Sequence, residues 1–296
     1  MTPLLALLAD RILGEPPLAV HPVVWMGRYL GAAGRSVPAS PSRAFLKGLA
    51  LWLLGAGLCL GAGILIERML SPLGAWAIPL TALAAFPFLS LDLLCHEVQG
   101  VEDALSEGIE QGRTRLARIV SRDTTRLAEP EVRESALESL SENLTDSVTA
   151  PLFWLCVLGL PGLFLYRFAN TADAMWGYRD HREWFGKWAA RTDDVLNWIP
   201  ARLTGLLLCP VALWNRLREQ SRITPSPNGG WTMGALALAL SVRLGKPGVY
   251  VLNGSAPSPD AGHTRRGLEL VARTAWLAAT LLSLLELAVR MLHARS

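Results

Sequence analysis

Charge is scarce in this chain. Asp, Glu, Lys and Arg make up 18% of its 296 residues, against 51% hydrophobic, where a soluble domain carries about a quarter charged. Mean hydropathy is +0.30. A net charge of +3 with no dense basic run excludes a nucleic-acid footprint. Cysteine is sparse as well: Cys59, Cys95, Cys156 and Cys209 lie in or beside apolar segments and form no CxxC pair. That argues against both a zinc site and a disulfide framework. The P-loop, GxGxxG, GxSxG and HExxH signatures are all missing, so any nucleotide is held by other means. The opening MTPLLALLADRILGEPP lacks a basic n-region and a small-residue cleavage site, and reads as mature sequence and not as a signal peptide.

What is present is apolar sequence gathered in blocks. Lys47 to Arg68 has no charge in its interior and approaches the roughly 20 residues of a bilayer-spanning helix. Pro72 to Leu94 and Leu268 to Leu292 are further candidates, and 47–94 is expected to form a pair of spanning helices. The last block carries Arg273, Glu286 and Arg290, which must snorkel or face other helices. Gly57 and Gly61 set a GxxxG spacing in the first block, a spacing common in membrane helices. GLPG at 159–162 interrupts the apolar run 148–168, which is then either one kinked span or a re-entrant helical pair. Pro130 is expected to open a helix over EVRESALESLSENLTDS. Pro210 interrupts 203–215, and TPSPNGGW precedes an apolar helix over 231–244. Arg28, Arg35, Arg43 and Lys47 before the first span, against Arg68 after it, place the N-terminal region in the cytoplasm.

Four constellations carry possible chemistry. Glu138, Glu142 and Asp146 stand at i, i+4, i+8, which sets three carboxylates on one helical face. Such a face is either solvated or neutralised by a hard cation such as Mg²⁺; Asn143 lies off that line. Asp193 and Asn197 share a face at i, i+4, Asp194 points elsewhere, Asn170 and Asp173 form a further pair, and Arg202 follows Pro200. Carboxylate, amide and guanidinium together suit a metal–phosphate site, and they equally suit caps and ion pairs. Ser226 and Asn228 in SPNGGW stand at a helix entrance whose amides can hold an anion or simply turn the chain. His21 in VHPVVWMGR is read as a hydrogen-bonded structural residue and not as a cobalt ligand.

Taken in order, the segments ADRILGEPP, HPVVWMGR, VSRDTTRL, ALESLSENLTDSVTAPLFW, GLPGLFLYRFANTADAMWGYR, ARTDDVLNWIPARLT and SPNGGW resemble the CobD/CbiB adenosylcobinamide-phosphate synthases, integral membrane proteins of cobalamin biosynthesis. They run from residue 9 to about 231. The resemblance implies an ATP-dependent amide ligation, in which the propionate carboxyl of adenosylcobyric acid is joined to aminopropanol or its phosphate. The chain departs from the family where AGWPEAAMAGAL usually follows SPN: Thr232 and Met233 replace Pro and Glu. A capping role is expected for the missing Glu. The family's LGG also reads LGK, ending at Lys246.

The expected architecture is all-α, a polytopic integral membrane protein forming a single domain over 1–296. About five to seven helices are embedded, some broken or re-entrant, with polar blocks 95–147 and 169–202 facing the cytoplasm at the inner membrane. Glu138, Glu142 and Asp146 are expected to hold Mg²⁺ and ATP phosphates. Asp193, Asp194 and Arg202 are the expected catalytic groups, with Asn143, Asn170, Asp173, Asn197, Ser226 and Asn228 binding substrate or nucleotide. The expected partners are the corrinoid, the amino alcohol, ATP, the bilayer and other late cobalamin-pathway enzymes. A corrinoid transporter or a scaffold is the rival reading. It is disfavoured because most acids fall in polar blocks outside the apolar ones.

Overall fold

The computed structural model describes residues 1–178 and 180–293. The chain is mostly helical: α1 (Thr2–Leu13), α2 (Pro22–Ala33), α3 (Pro41–Leu70), α4 (Ala77–Ala85), α5 (Leu91–Glu107), α6 (Ile109–Leu116) and α7 (Glu129–Leu144) lead to α8 (Ala150–Trp176). Then follow α9 (Glu183–Leu196), α10 (Trp198–Leu208), α11 (Trp214–Gln220), α12 (Gly229–Leu240), β1 (Leu244–Lys246), β2 (Tyr250–Leu252) and α13 (Ala261–His293). Three helical stretches are long and apolar enough to cross a bilayer: Pro41–Glu107, Glu129–Trp176 and Ala261–Leu292. Trp198–Leu208 and Gly229–Leu240 are shorter apolar helices. The chain divides into two compact units, one of 1–90, 150–197 and 279–296, the other of 91–149 and 198–278.

In the first unit, α3 is the long apolar helix expected over 47–68. Its GxxxG pair does not pack, because both glycines have open space where a Cβ would stand. The close approaches are made by Gly48, Gly55 and Gly63, where a Cβ would overlap the Phe185 carbonyl, the Phe168 ring and the Pro161 backbone. Residue 63 thus meets 161 and residue 55 meets 168, so α3 and the later part of α8 run antiparallel. The other member of the expected spanning pair is not one helix. The block 72–94 is divided into a 3₁₀ turn, α4, a second 3₁₀ turn and the start of α5. The nine residues of α4 reach about 13 Å at 1.5 Å each.

The GLPG interruption folds α8 back on itself. Gly159 has φ 67° and ψ −154°, a conformation that is essentially glycine's alone. A Cβ at Gly162 would stand 2.8 Å from the carbonyl oxygen of Trp154, eight residues earlier. In a straight helix those positions are about 12 Å apart. Trp154 and Tyr166, on opposite limbs, bond the consecutive residues Leu196 (3.2 Å) and Asn197 (2.9 Å). The turn leaves the Leu160 amide without a helical partner, and the Glu67 carboxylate at the end of α3 accepts it at 2.8 Å. Of the two readings open for 148–168, the geometry is that of the helical pair. Near the C-terminus, Glu286 is neutralised as expected of a charge inside an apolar helix: Thr2 donates through its amide and hydroxyl, and Arg290 pairs at 2.6 Å. His21 caps α2, accepting from the Val23 amide and bonding Glu15 through its other nitrogen.

In the second unit, α7 is central. Pro130 stands in its first turn as expected, and Glu131 accepts the Ala128 amide at 2.7 Å. Although α7 is polar in sequence, most of its residues from Val132 to Leu144 are buried, including Glu134 and Glu138. Arginines from other elements make that burial tolerable: Arg243 pairs with Glu134 at 2.8 Å and Arg122 with Glu138 at 2.7 Å. The block 95–147 is therefore a packed core of this unit as well as a polar surface. After α10 stops short of Pro210, α12 packs on α10, α11 and α7. The sequence GKPGVY then forms a small antiparallel hairpin, an exception to the all-α expectation, with Lys246 opposite Tyr250. Pro247 and Gly248 make its turn, and the positive φ of Gly248, 72°, is the reason glycine stands there.

Candidate active site in two polar clusters

The hairpin register and α7 together build a cavity in the second unit. It measures about 310 Å³, and Glu138, Glu142 and Asn143 of α7 line it with Arg122, Lys246, Tyr250 and Ser226. Arg122 is fixed by two bonds, one to Ser135 Oγ (2.9 Å) and one to Glu138 Oε2 (2.7 Å). Glu138 Oε1 is buried with no hydrogen bond of good geometry. The Tyr250 hydroxyl beside it rests against the Met233 sulfur at 3.5 Å. Burial first, and then the Glu138 charge, push the Tyr250 phenol far above its ordinary range, so it is a neutral donor across the working pH range. Glu142 is exposed to the cavity. Asn143 donates to the Ser139 carbonyl at 2.9 Å, which serves as a local tie within the helix.

The three-carboxylate line is not assembled. Residues Thr145–Thr149 wind as a π-helix, and the wider turn shifts the phase of everything after Leu144. Asp146 falls in that segment and does not line the cavity. Among the described residues no three His, Cys, Asp or Glu side chains stand close enough to cage a metal. Nor is the face simply solvated, since Glu138 is 2% exposed and paired. Glu142, with the unbonded oxygen of Glu138, still offers the one or two carboxylates that Mg²⁺ takes beside phosphate oxygens.

SPNGGW forms the wall between this cavity and a second one. Ser226 Oγ accepts the amides of Asn228 (3.2 Å) and Gly229 (3.1 Å), so the hydroxyl itself caps the entrance of α12. Two of the amides expected to face an anion are thus already used. Arg202 holds the loop from the other side, bonding Asn228 Oδ1 at 3.1 Å and the Trp198 carbonyl at 2.6 Å. Met233, where the family usually carries Glu, is buried and lines the cavity. A side chain at that position lies between the cavity and the start of α12, where the Met233 methyl stands 3.0 Å from the place of a Cβ on Gly229.

The other expected cluster lies inside the first unit. Asp193 is 8% exposed, and its two oxygens accept the amides of Asn170 (3.2 Å) and Asn197 (3.1 Å), bearing out the i, i+4 reading. Tyr166 donates to Asn197, and Arg167 reaches Asn170 at 3.2 Å. Asp173 and Asp194 are half-buried beside one another's charge. Trp52 of α3 meets both Phe168 and Trp188, with ring centroids 6.1 and 6.4 Å away. Asn170 and Asp193 therefore sit roughly two turns along α3 from Lys47, beside its apolar stretch. This group belongs to the polar block 169–202 in sequence and packs beside an apolar helix in the fold.

Sequence reasoning missed Arg122, Lys246 and Tyr250. Arg122 lies in VSRDTTRL, Lys246 stands out as the Lys of LGK, and Tyr250 carries no local signal because only the strand register brings it to the cavity. Comparison with known proteins covers nearly the whole chain. The family model described as CobD/Cbib protein matches residues 3–282. A "Probable cobalamin biosynthesis protein CobD" of Methanothermobacter thermautotrophicus is 42% identical, covering 84% of this chain and 85% of the relative. "Cobalamin biosynthesis protein CobD" of Chromobacterium violaceum is 40% identical, covering 98% and 97%. A Thermococcus kodakarensis relative with the "probable" form of that name is 39% identical over 94% and 91%. No solved structure matches. The chain belongs to the CobD/CbiB family.

Proposed function

We propose that this protein acts in cobalamin biosynthesis, using ATP to join aminopropanol or its phosphate to the propionate carboxyl of adenosylcobyric acid. The carrying observation is the second unit's cavity, where a fixed Arg122–Glu138 pair, an exposed Glu142 and Lys246 share one chamber on a chain of this family. A cavity of that size takes the reacting ends of the substrates and leaves the corrin ring outside.

A carboxylate oxygen is a poor leaving group, so the acid must be activated. In the proposed route the carboxylate takes the γ-phosphoryl of ATP, releasing ADP. The amine then attacks the acyl carbon, and inorganic phosphate departs. Lys246, which has no ion-pair partner among the described residues, draws the anionic ends together, and Arg122 presents a rigid fork. Tyr250, held neutral, donates a hydrogen bond to a developing oxyanion. Glu142 accepts the proton that the ammonium must lose so that the neutral amine can attack. Mg²⁺ held by Glu142 and Glu138 would neutralise the transferring phosphoryl group.

Carboxylate labelled with ¹⁸O, incubated with enzyme, ATP, Mg²⁺ and amine, should deliver label to inorganic phosphate. Label in AMP would replace the route with adenylation, and amide formed without ATP cleavage would refute ligation. Glu142→Gln should fold normally and lose at least ten-fold in turnover; a fully active variant would remove Glu142 from the chemistry.

One observation favours the transporter reading instead. The helix broken at Gly159 carries Asn170 of the buried Asp193–Asn170–Asn197 group eleven residues further on, and transporters build substrate paths from discontinuous helices with buried polar groups. Corrinoid uptake by proteoliposomes containing only this protein would establish it.

A further inference from the structure

Besides the carboxylate cavity, the second unit carries a pocket of about 410 Å³ lined by three arginines, Arg202, Arg218 and Arg222, with Trp231, Thr224 and Ser226. No Asp or Glu lines it. Five other arginines of this unit, Arg113, Arg115, Arg122, Arg133 and Arg243, each pair with a carboxylate. Arg218 and Arg222 pair with none among the described residues. They stand four apart where α11 ends and the chain turns, with the Arg222 amide bonded to the Glu219 carbonyl, and like charges so spaced repel. Arg202 is set in place before any ligand arrives. Its guanidinium lies 4.2 Å from the Trp198 ring and 5.2 Å from that of Trp231, and two of its bonds run to the loop.

We propose that this pocket binds a phosphoryl dianion, either a soluble phosphomonoester or the terminal phosphomonoester of a lipid such as phosphatidic acid. One guanidinium fork satisfies a carboxylate. Three converging on one open pocket, none offset by an acid, match a group with three anionic oxygens. A dianion would also relieve the repulsion between Arg218 and Arg222. Arg202 then acts as the rigid wall, and the two unpaired arginines close on the ligand. The site does not depend on the ligase reading.

The test is calorimetric titration of the full chain in neutral detergent with inorganic phosphate. Arg222→Gln should weaken binding at least ten-fold, and Arg222→Lys, which keeps the charge and loses the fork, should fall between. Arg118→Gln removes a charge elsewhere in the same unit and should bind as the parent does. Nanodiscs containing phosphatidic acid and nanodiscs of phosphatidylcholine alone separate the two sources. If free phosphate does not bind but Arg222→Gln abolishes a preference for phosphatidic acid, the ligand is a lipid headgroup. Absence of both kinds of binding would overturn the proposal, as would equal losses in Arg222→Gln and Arg118→Gln. Because the readout is binding, protein that holds phosphate but forms no amide would end the ligase reading and leave this site standing.

Discussion

Glu138 shows what a single side chain can demand of its surroundings. Its carboxylate is buried, so the Arg122 guanidinium is a requirement and not an ornament. Removing one partner of a buried ion pair leaves an uncompensated charge and costs about 3–5 kcal/mol, whereas removing both charges costs far less. Arg122→Gln should therefore lower the thermal midpoint sharply in detergent, and Arg122→Gln combined with Glu138→Gln should recover most of the loss. A double variant as unstable as the single one would mean that the pair is not what holds α7. Tyr250 makes a pH-dependent claim. Its folded pKa is raised above the unfolded value of about 10, so the folded state holds the phenolic proton more tightly. That stabilisation is complete below about pH 10 and is lost as pH rises beyond it. The parent should lose thermal stability between pH 9 and 11 more steeply than Tyr250→Phe. Parallel curves would place Tyr250 in an ordinary, wet environment.

At the scale of elements, the polar pattern of α7 identified a helix with a proline in its first turn, and the structure has both. The same pattern did not show that the helix is buried, because its neutralising arginines lie at positions 122 and 243. Phase was lost for a related reason: a three-carboxylate line assumes 3.6 residues per turn, and the π segment breaks that period at Thr145. The GLPG break, by contrast, was legible from proline and glycine chemistry alone, and packing settled its direction. Gly159→Ala should destabilise the first unit by more than about 1–3 kcal/mol, since its backbone is strained for any Cβ and that Cβ would strike Glu67. A thermal midpoint unchanged in detergent would rule out the fold-back. Labelling of single cysteines in a cysteine-free chain gives a second check. Cysteines at Arg35 and Arg182 should react from one side of the membrane, and one at Ser71, past the other end of α3, from the opposite side.

Over the whole molecule, the apolar faces left uncovered point to lipid. Leu53, Leu54, Leu58 and Leu65 of α3 are all more than half exposed, as are Leu284, Leu285 and Leu292 of α13. Water would not tolerate such contiguous apolar faces, and a bilayer requires them. The protein should stay with membranes through high-salt and alkaline washing and leave only with detergent. Release by salt alone would overturn the membrane assignment.

The sequence by itself determined the class of this protein: helices, apolar blocks of bilayer length, the break at 159–162 and, through long ordered segments, its family. These properties are local, being set by composition, periodicity and the backbone limits of proline and glycine within a few residues. The tertiary structure alone decided which polar groups meet. Lys246 and Tyr250 face α7 because a hairpin register places them there, and Arg122 reaches Glu138 across a loop. Asp193 belongs to one compact unit and the carboxylates of α7 to the other. Ion pairs and cavities depend on distances between chain-remote atoms, and spacing along a sequence carries no such distances.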